Sequence, residues 1–557
     1  MVKEKLIVIG GVAAGPKAAS KAKRCNPDLE VVIYQEEGAV SYGGCGLPYY
    51  VSGKVKDRKH LLARTVEQFA LDGIEVRLGH RVEAIDLKEK TIQGIQLDSG
   101  KKFQDRYDKL VVATGSYPIR PRIADLTFQH IYYLRSIFDA DRLLQALQSD
   151  SIRKVVVVGG GYIGLEMAEG LTEIGKKVTV VEMAPQILTL FDPDMAMLVQ
   201  RHLEKKGVEI LVGESLREVR GAAGRVSSVK TDSQEIPADA VLLSLGIRPQ
   251  VELARRAGLR LGETGAIWVN ERMETSADDV FSAGDCTETT HLVTGKRTWI
   301  PLGSTANKQG RVVGVNVCGG SATFPGVLGT AIFKAFEFHV AKTGLNLREA
   351  REAGFDPIEA IVRGYSAAHY YPGMKESVLK VIADQKTGKI LGAQAVGEGP
   401  SDKFIDTISM ALLARMDCET LGAADLAYSP PFSPALSPIL SAAHVLQNKR
   451  EGRFEWITAA EVKKRLDSGS KEFLLLDVRE EKEVKEKRIP GSTWIPLPTL
   501  EKNLHGLDQT KEIAVHCHSG VRSYKAYLKL KHRGFPKIKN VDGGILCWTY
   551  GMEGPQK

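Results

Sequence analysis

The stretch "VVVVGGGYIGLEMAE" (155–169) decides the fold class. Four valines in a row read as a strand buried on both faces, the pattern of a parallel sheet. Glycines then fall at Gly159, Gly161 and Gly164, a G-x-G-x-x-G turn, and "YIGLEMAEGLTEIG" continues as a helix. A second apolar strand, "KKVTVVE" (176–182), ends on Glu182. Strand, glycine turn, helix, strand and acid make up a dinucleotide-binding unit. The glycines let backbone approach a pyrophosphate, and the helix N-terminus offers it free N–H groups. Glu182 would accept from a ribose 2′-hydroxyl and repel a 2′-phosphate, and no arginine follows closely in "EMAPQIL". The unit reads as a site for NADH ahead of NADPH. The alternative is an α/β turn that binds nothing.

An earlier unit has the same order. "EKLIVIGG" (4–11) is a buried strand, "PKAASKAKRCN" a helix, and "LEVVIYQEE" (29–37) the next strand. Its turn, "GGVAAG", runs Gly10, Gly11, Val12, Ala13, Ala14, Gly15, with valine at the middle fingerprint position. At the end of the second strand Gln35 stands where an acid is common, and Glu36 follows. "VVATGS", with Thr114 and Gly115, and "VFSAGDC", with Gly284 and Asp285, strengthen the site. Asp285 is placed to bond a cofactor's polyol chain.

The chain has 557 residues, more than one hydrophobic core serves, so three to four domains are expected. A net charge of +8 is mild over this length. It suits a solvated surface with local anion sites rather than nucleic-acid binding, and the basic strip 529–540 reads as a solvated face. Seven cysteines (25, 45, 286, 318, 418, 517, 547) are widely spaced with no C-x-x-C pair, against a disulfide framework or a zinc site. No signal-peptide pattern and no long apolar span appear, and a reducing cytoplasm fits best. "SVLKVIADQKTGKILGAQAVG" (377–397) reads as antiparallel strands around a Lys-Thr-Gly turn, "QNKREGRFEW" (447–456) as a linker, and the last hundred residues as a separate α/β unit.

The order GGVAAG, SYGGCGLPY, ATG, GGGYIGLE, AGDC and "PLGSTANKQGR" (301–311) resembles the pyridine nucleotide–disulfide oxidoreductases, within them the coenzyme A-disulfide reductase branch, which includes NADH oxidases and polysulfide reductases. The resemblance implies FAD on a domain of residues 1–115 and 250–325, NADH on 116–249, and dimerisation through 326–446. Ser41 and Ala306 join the flavin site by the same resemblance.

In "SYGGCGLPYY" (41–50) Cys45 is alone, because the second position of the family's C-x4-C pair is Tyr50. A lone thiol must cycle through a mixed disulfide, a persulfide or a sulfenic acid. The resemblance places Cys45 at the flavin, where contact with the oxidised ring would favour thiolate. It offers Tyr428 and Tyr370, ahead of Tyr371, as phenols that donate to a departing CoA thiolate, reaching Cys45 of the other subunit in a homodimer. Ordinary packing tyrosines are the alternative. Gly44 stands where much of the branch has asparagine.

"HCHSGVRS" (516–523) sits between an apolar strand and a helix. Its C-x-x-G-x-R-S loop aims backbone N–H groups at Cys517 and would stabilise a thiolate or persulfide. With "LLLDVREEKEV", "RIPGSTWIPL" and "DGGILCW" it resembles a rhodanese domain (458–557) after a linker at 447–457. The resemblance makes Cys517 a sulfur carrier and Arg522 the residue that closes the loop. The four residues between Cys517 and Arg522 are one fewer than in C-x5-R phosphatases. Arg488 replaces the family's usual histidine, and Cys547 reads as structural.

The expected whole is an α/β protein: two Rossmann-like domains, an α+β dimerisation domain and an α/β rhodanese domain. The expected activity is NADH-dependent reduction of CoA persulfide, polysulfide or CoA disulfide. An NADH oxidase cycling Cys45 through sulfenic acid, or a non-catalytic sulfur-delivery protein, are the rivals.

Overall fold

The computed structural model describes residues 4–123 and 126–554; the outermost three residues at each end of the expected domain spans lie outside it. The chain forms two compact units, one holding the residues up to Pro185 and Gly207–Gly329, the other Gln186–Lys206 and everything from Thr330.

The first unit contains both expected nucleotide-binding sheets. One is five-stranded, ordered Val280–Ser282, Lys109–Val112, Lys5–Ile9, Glu30–Gln35, Ile74–Leu78, with every pairing parallel. The other runs Glu209–Val212, Lys177–Glu182, Lys154–Val158, Ala240–Leu243, Ile131–Tyr132, again parallel. In each sheet the strand that runs into the glycine turn, Lys5–Ile9 or Lys154–Val158, has neighbours from which the chain leads in opposite directions. This leaves a crevice at the strands' carboxyl ends, and the glycine turns sit there. Leu6, Ile7 and Val8 are fully buried, as are Val155 to Val157 to within one per cent, because helices and loops cover both faces.

The second unit joins two further sheets. Antiparallel strands run Ala331–Ala335, Phe338–Gly344, Ile390–Gly397, Glu376–Asp384, Pro357–Tyr365. The Lys-Thr-Gly turn lies between the third and fourth of these, with Gly388 at φ +72°. The last sheet is parallel: Trp456–Ile457, Ile538–Val541, Glu512–His516, Phe473–Asp477, Thr493–Trp494. The stretch read as a linker begins inside a helix, Pro438–Arg450, and its Lys449 is buried. Gln186–Lys206, placed by sequence order within the second nucleotide-binding domain, belongs to this unit. Its Asp192 N–H donates to Gln394 Oε1 at 2.9 Å, and its Asp194 accepts from Lys380 at 2.7 Å. Among the described residues no helix is long and apolar enough to cross a membrane.

Candidate functional site

The two glycine turns are built alike. Gly10 and Gly159 have φ of +107° and +113°, and a Cβ on either would lie within 2.2 Å of a backbone oxygen, of Ala113 and Ser244 respectively. Only glycine serves there. Gly15 and Gly164 sit so close to the oxygens of Gly10 and Gly159 that a Cβ would fall at 1.9 and 2.0 Å. Above Gly161 there is nothing within 4 Å. Open space over bare backbone at the N-terminus of the helix Tyr162–Glu173 is what a pyrophosphate requires, so these residues fit a dinucleotide.

Glu182 is tied down at both oxygens, accepting from Gly160 N at 2.7 Å and Ala184 N at 2.8 Å. It is thereby held at the strand end beside the turn. In the first turn Gln35 does the corresponding work: its buried Oε1 accepts from Gly11 N at 2.7 Å. Glu36 is exposed beside Arg81.

Residues far apart in sequence converge on the first turn. A Cβ on Gly284 would lie 3.0 Å from Ala14 Cβ and 3.7 Å from Ala306 Cβ. Gly284 N donates to buried Gln309 at 2.8 Å. Asp285 accepts from Ser116 at 3.0 Å, and burial raises its carboxyl against the pull of that bond and of Arg135. Thr114 donates to the Gln250 carbonyl at 2.6 Å, next to Gly115. Ser41, at φ +49°, donates its N–H to Gly11 O at 2.7 Å and ties the cysteine loop to the turn.

Cys45 is exposed in the short 3-10 segment Gly44–Gly46. A Cβ on Gly303, the first residue of the helix Gly303–Asn316, would be 3.9 Å from its sulfur. Partial desolvation, then the charges of Glu166 and Asp285, push the thiol up. The polypeptide alone therefore does not favour thiolate here. Tyr50 fills the vacant second-cysteine position as a packing residue, its hydroxyl donating to Asp141 at 2.9 Å. Above Gly44 nothing lies within 4 Å.

In the second unit, Tyr370 and Tyr428 are both exposed, and the neighbouring Tyr428 raises the Tyr370 phenol. The loop after Glu512–His516 turns Gly520 N toward Cys517 Sγ at 3.2 Å and Ser523 Oγ at 3.5 Å. Arg522 forks onto Glu483, with Nη2 at 2.7 Å from Oε1, and holds that carboxyl down to about 2. Beneath the loop, buried Arg479 forks onto Asp477, and burial lowers His516 to about 4. Arg488 pairs with Glu553 through both side chain and backbone, which closes the C-terminal segment onto the domain. Cys547 is buried, and burial pushes its thiol well up.

Sequence reading missed four groups. Glu166 and Tyr49 meet at 3.1 Å near Cys45, Arg135 Nε donates to Ser116 O at 2.7 Å, and Glu483 holds Arg522. Tyr49, Glu166 and Glu483 lie inside stretches quoted above, but only Glu483 belongs to the same domain motif set as its partner Arg522. The others gain partners through side-chain placement across distant segments.

Comparison with known proteins covers nearly the whole chain. Residues 4–310 match the pyridine nucleotide-disulphide oxidoreductase family, 330–438 its dimerisation domain, and 458–550 the rhodanese-like domain. The NAD(P)H sulfur oxidoreductase (CoA-dependent) of Pyrococcus abyssi is 38% identical over 80% of this chain and 99% of its own. A NAD-dependent persulfide reductase from A. fulgidus superposes with a TM-score of 0.92 at 41% identity, over 98% of this chain and all of that one. The reduced CoADR-RHD of Bacillus anthracis gives 0.93 at 33% identity, over 98% of each. With its two glycine turns, its lone thiol and its sulfur-cradling loop, the chain belongs to the pyridine nucleotide–disulphide oxidoreductase family and carries a C-terminal rhodanese domain.

Proposed function

We propose that the protein is an NADH-dependent flavoprotein reductase of CoA persulfides, polysulfides or CoA disulfide, with Cys45 as the redox thiol and Cys517 as a carrier of sulfane sulfur. The observation that carries this reading is the pairing, in one chain, of a thiol without an internal partner at Tyr50 and a loop that aims Gly520 N and Ser523 Oγ at a second sulfur.

FAD, when bound, supplies the two electrons taken from NADH. Cys45 thiolate attacks the CoA-bound sulfur of a CoA persulfide, forming Cys45–S–S–CoA and releasing hydrosulfide. Two electrons and a proton return Cys45 to thiolate and release CoA thiol. Tyr370 and Tyr428, each on the partner subunit of a homodimer, hold the disulfide in line and donate to the leaving thiolate; the influence of Tyr428 on the Tyr370 phenol supports a shared task. The carboxylate of Glu182, held at the strand end and followed by exposed Met183 rather than a basic residue, supports NADH over NADPH. A water-producing oxidase has no use for the Cys517 loop.

Anaerobic NADH oxidation by the flavin-loaded protein, with CoA persulfide or inorganic polysulfide as acceptor, tests this. Sulfide release matched to NADH, lost in Cys45→Ser, is expected. NADH consumption on oxygen, with none on sulfur acceptors, would overturn it.

A further inference from the structure

The helices Ala14–Cys25 and Gly303–Asn316 run side by side in backbone contact. A Cβ on Gly310 would lie 2.4 Å from Ala14 O, and one on Gly314 2.5 Å from Ala18 O. One further step of four on each places Cys318 Sγ 3.4 Å from Ala22 O. The register thus advances equally on both, so the helices are parallel and their C-terminal ends lie together. Cys25 is three residues beyond Ala22, on the same helical face. It is exposed, and Cys318 is half-buried. Burial, then the neighbouring Cys25, then Glu4 raise the Cys318 thiol, against the pull of Lys21.

We propose that Cys25 and Cys318 form a reversible disulfide when sulfane sulfur is in excess, stapling the C-terminal ends of the two helices whose N-termini face the first glycine turn and Cys45. A disulfide needs Cα atoms about 4.4–6.8 Å apart, and Cys318 Sγ already lies against the Ala22 carbonyl, one helical turn from Cys25. The oxidant is an organic persulfide or inorganic polysulfide. Exposed Cys25, as thiolate, attacks the inner sulfur of R–S–SH, where R is a carbon group or, in inorganic polysulfide, the rest of the sulfur chain, giving Cys25–S–S–R and hydrosulfide. Cys318, losing its proton, then attacks the Cys25 sulfur and releases R–SH. Two thiols are oxidised and one sulfane sulfur is reduced to sulfide. The two cysteines stand far apart in sequence, so the closed loop is long and the staple restricts the unfolded chain strongly. Excess substrate would in this way stiffen the domain that carries the first turn.

The test treats the full-length, flavin-loaded protein with inorganic polysulfide without oxygen, alkylates, and maps peptides under non-reducing conditions. Expected are a linked peptide pair two hydrogen atoms lighter than the separate peptides, loss of both thiols to alkylation, reversal by dithiothreitol and a higher melting temperature. Cys25→Ser, an exposed substitution, should abolish the linked pair and the melting shift while NADH turnover persists. The proposal is overturned if both thiols still alkylate after polysulfide, or if each carries its own added sulfur with no link. The oxidant rests on the substrate class proposed above. The peptide masses are read without turnover, so failure of the staple and failure of the reductase reading are separate results.

Discussion

The Tyr49 hydroxyl donates to the Glu166 carboxylate at 3.1 Å, and the charge of Glu166 reaches Cys45. Burial raises Glu166 to about 7, with Glu169 adding to the shift and Tyr49 opposing it. Below that pH the carboxyl is neutral; above it, a negative charge disfavours the Cys45 thiolate. Glu166→Gln should therefore shift the pH profile of Cys45 alkylation to lower pH. The folded pKa lies above the unfolded value of about 4.3. The contribution of Glu166 to stability is therefore full below the unfolded value and is lost as pH rises through about 7. Melting temperatures of Glu166→Gln should fall less over that window than those of the parent. An unchanged alkylation profile would count against this coupling.

Gly44 has room for a side chain, with nothing within 4 Å of an added Cβ, and its φ is not positive. Gly44→Asn should cost within about 0.5 kcal/mol. Its amide would offer a donor near Cys45, and a donor to the charged form favours thiolate. Faster alkylation at neutral pH with unchanged melting is expected. A large drop in melting temperature would show that the space is not free.

Glu182 pins its turn through two backbone N–H groups. Hydrogen bonds to charged groups contribute about 1.5–3 kcal/mol each. Glu182→Ala should raise the KM for NADH about tenfold or more and narrow the preference over NADPH, as steady-state kinetics with both nucleotides will read. A KM unchanged for NADH would remove Glu182 from the site.

Lys449 is fully buried and donates to Asp542 at 2.6 Å and to the Glu359 carbonyl at 2.7 Å. Lys449→Met leaves Asp542 buried without its cation, a loss of about 3 kcal/mol at neutral pH. Burial, opposed by Lys449, already raises Asp542 to about 6, and removing Lys449 raises it further. Protonation removes the uncompensated charge, so the loss should shrink at pH about 5. Denaturant unfolding of the full chain at both pH values measures it. Equal losses at both would show that Asp542 does not carry the effect.

The sequence by itself determined the elements whose rules are local. Four valines, three spaced glycines and a closing acid specify a turn that only one backbone geometry satisfies, because a Cβ at Gly159 or Gly164 would strike a backbone oxygen. The Cys517 loop is likewise legible, since its donors come from the next few residues. The missing thiol at Tyr50 can be read without coordinates.

What only the tertiary structure decided involves residues brought together from distant segments. Glu166 stands on the second nucleotide unit's helix yet bonds Tyr49 of the cysteine loop. Gln186–Lys206 follows the second glycine unit in sequence but packs with the later unit, where Asp192 and Asp194 surround buried Lys380. Lys449, polar and within a charged stretch, reads as linker and is core, because its charge finds Asp542 nearly a hundred residues on. Cys25 and Cys318 look unrelated until two glycines let their helices touch. In each case the deciding energy is a pairwise contact or a desolvation, and both depend on which distant side chain arrives.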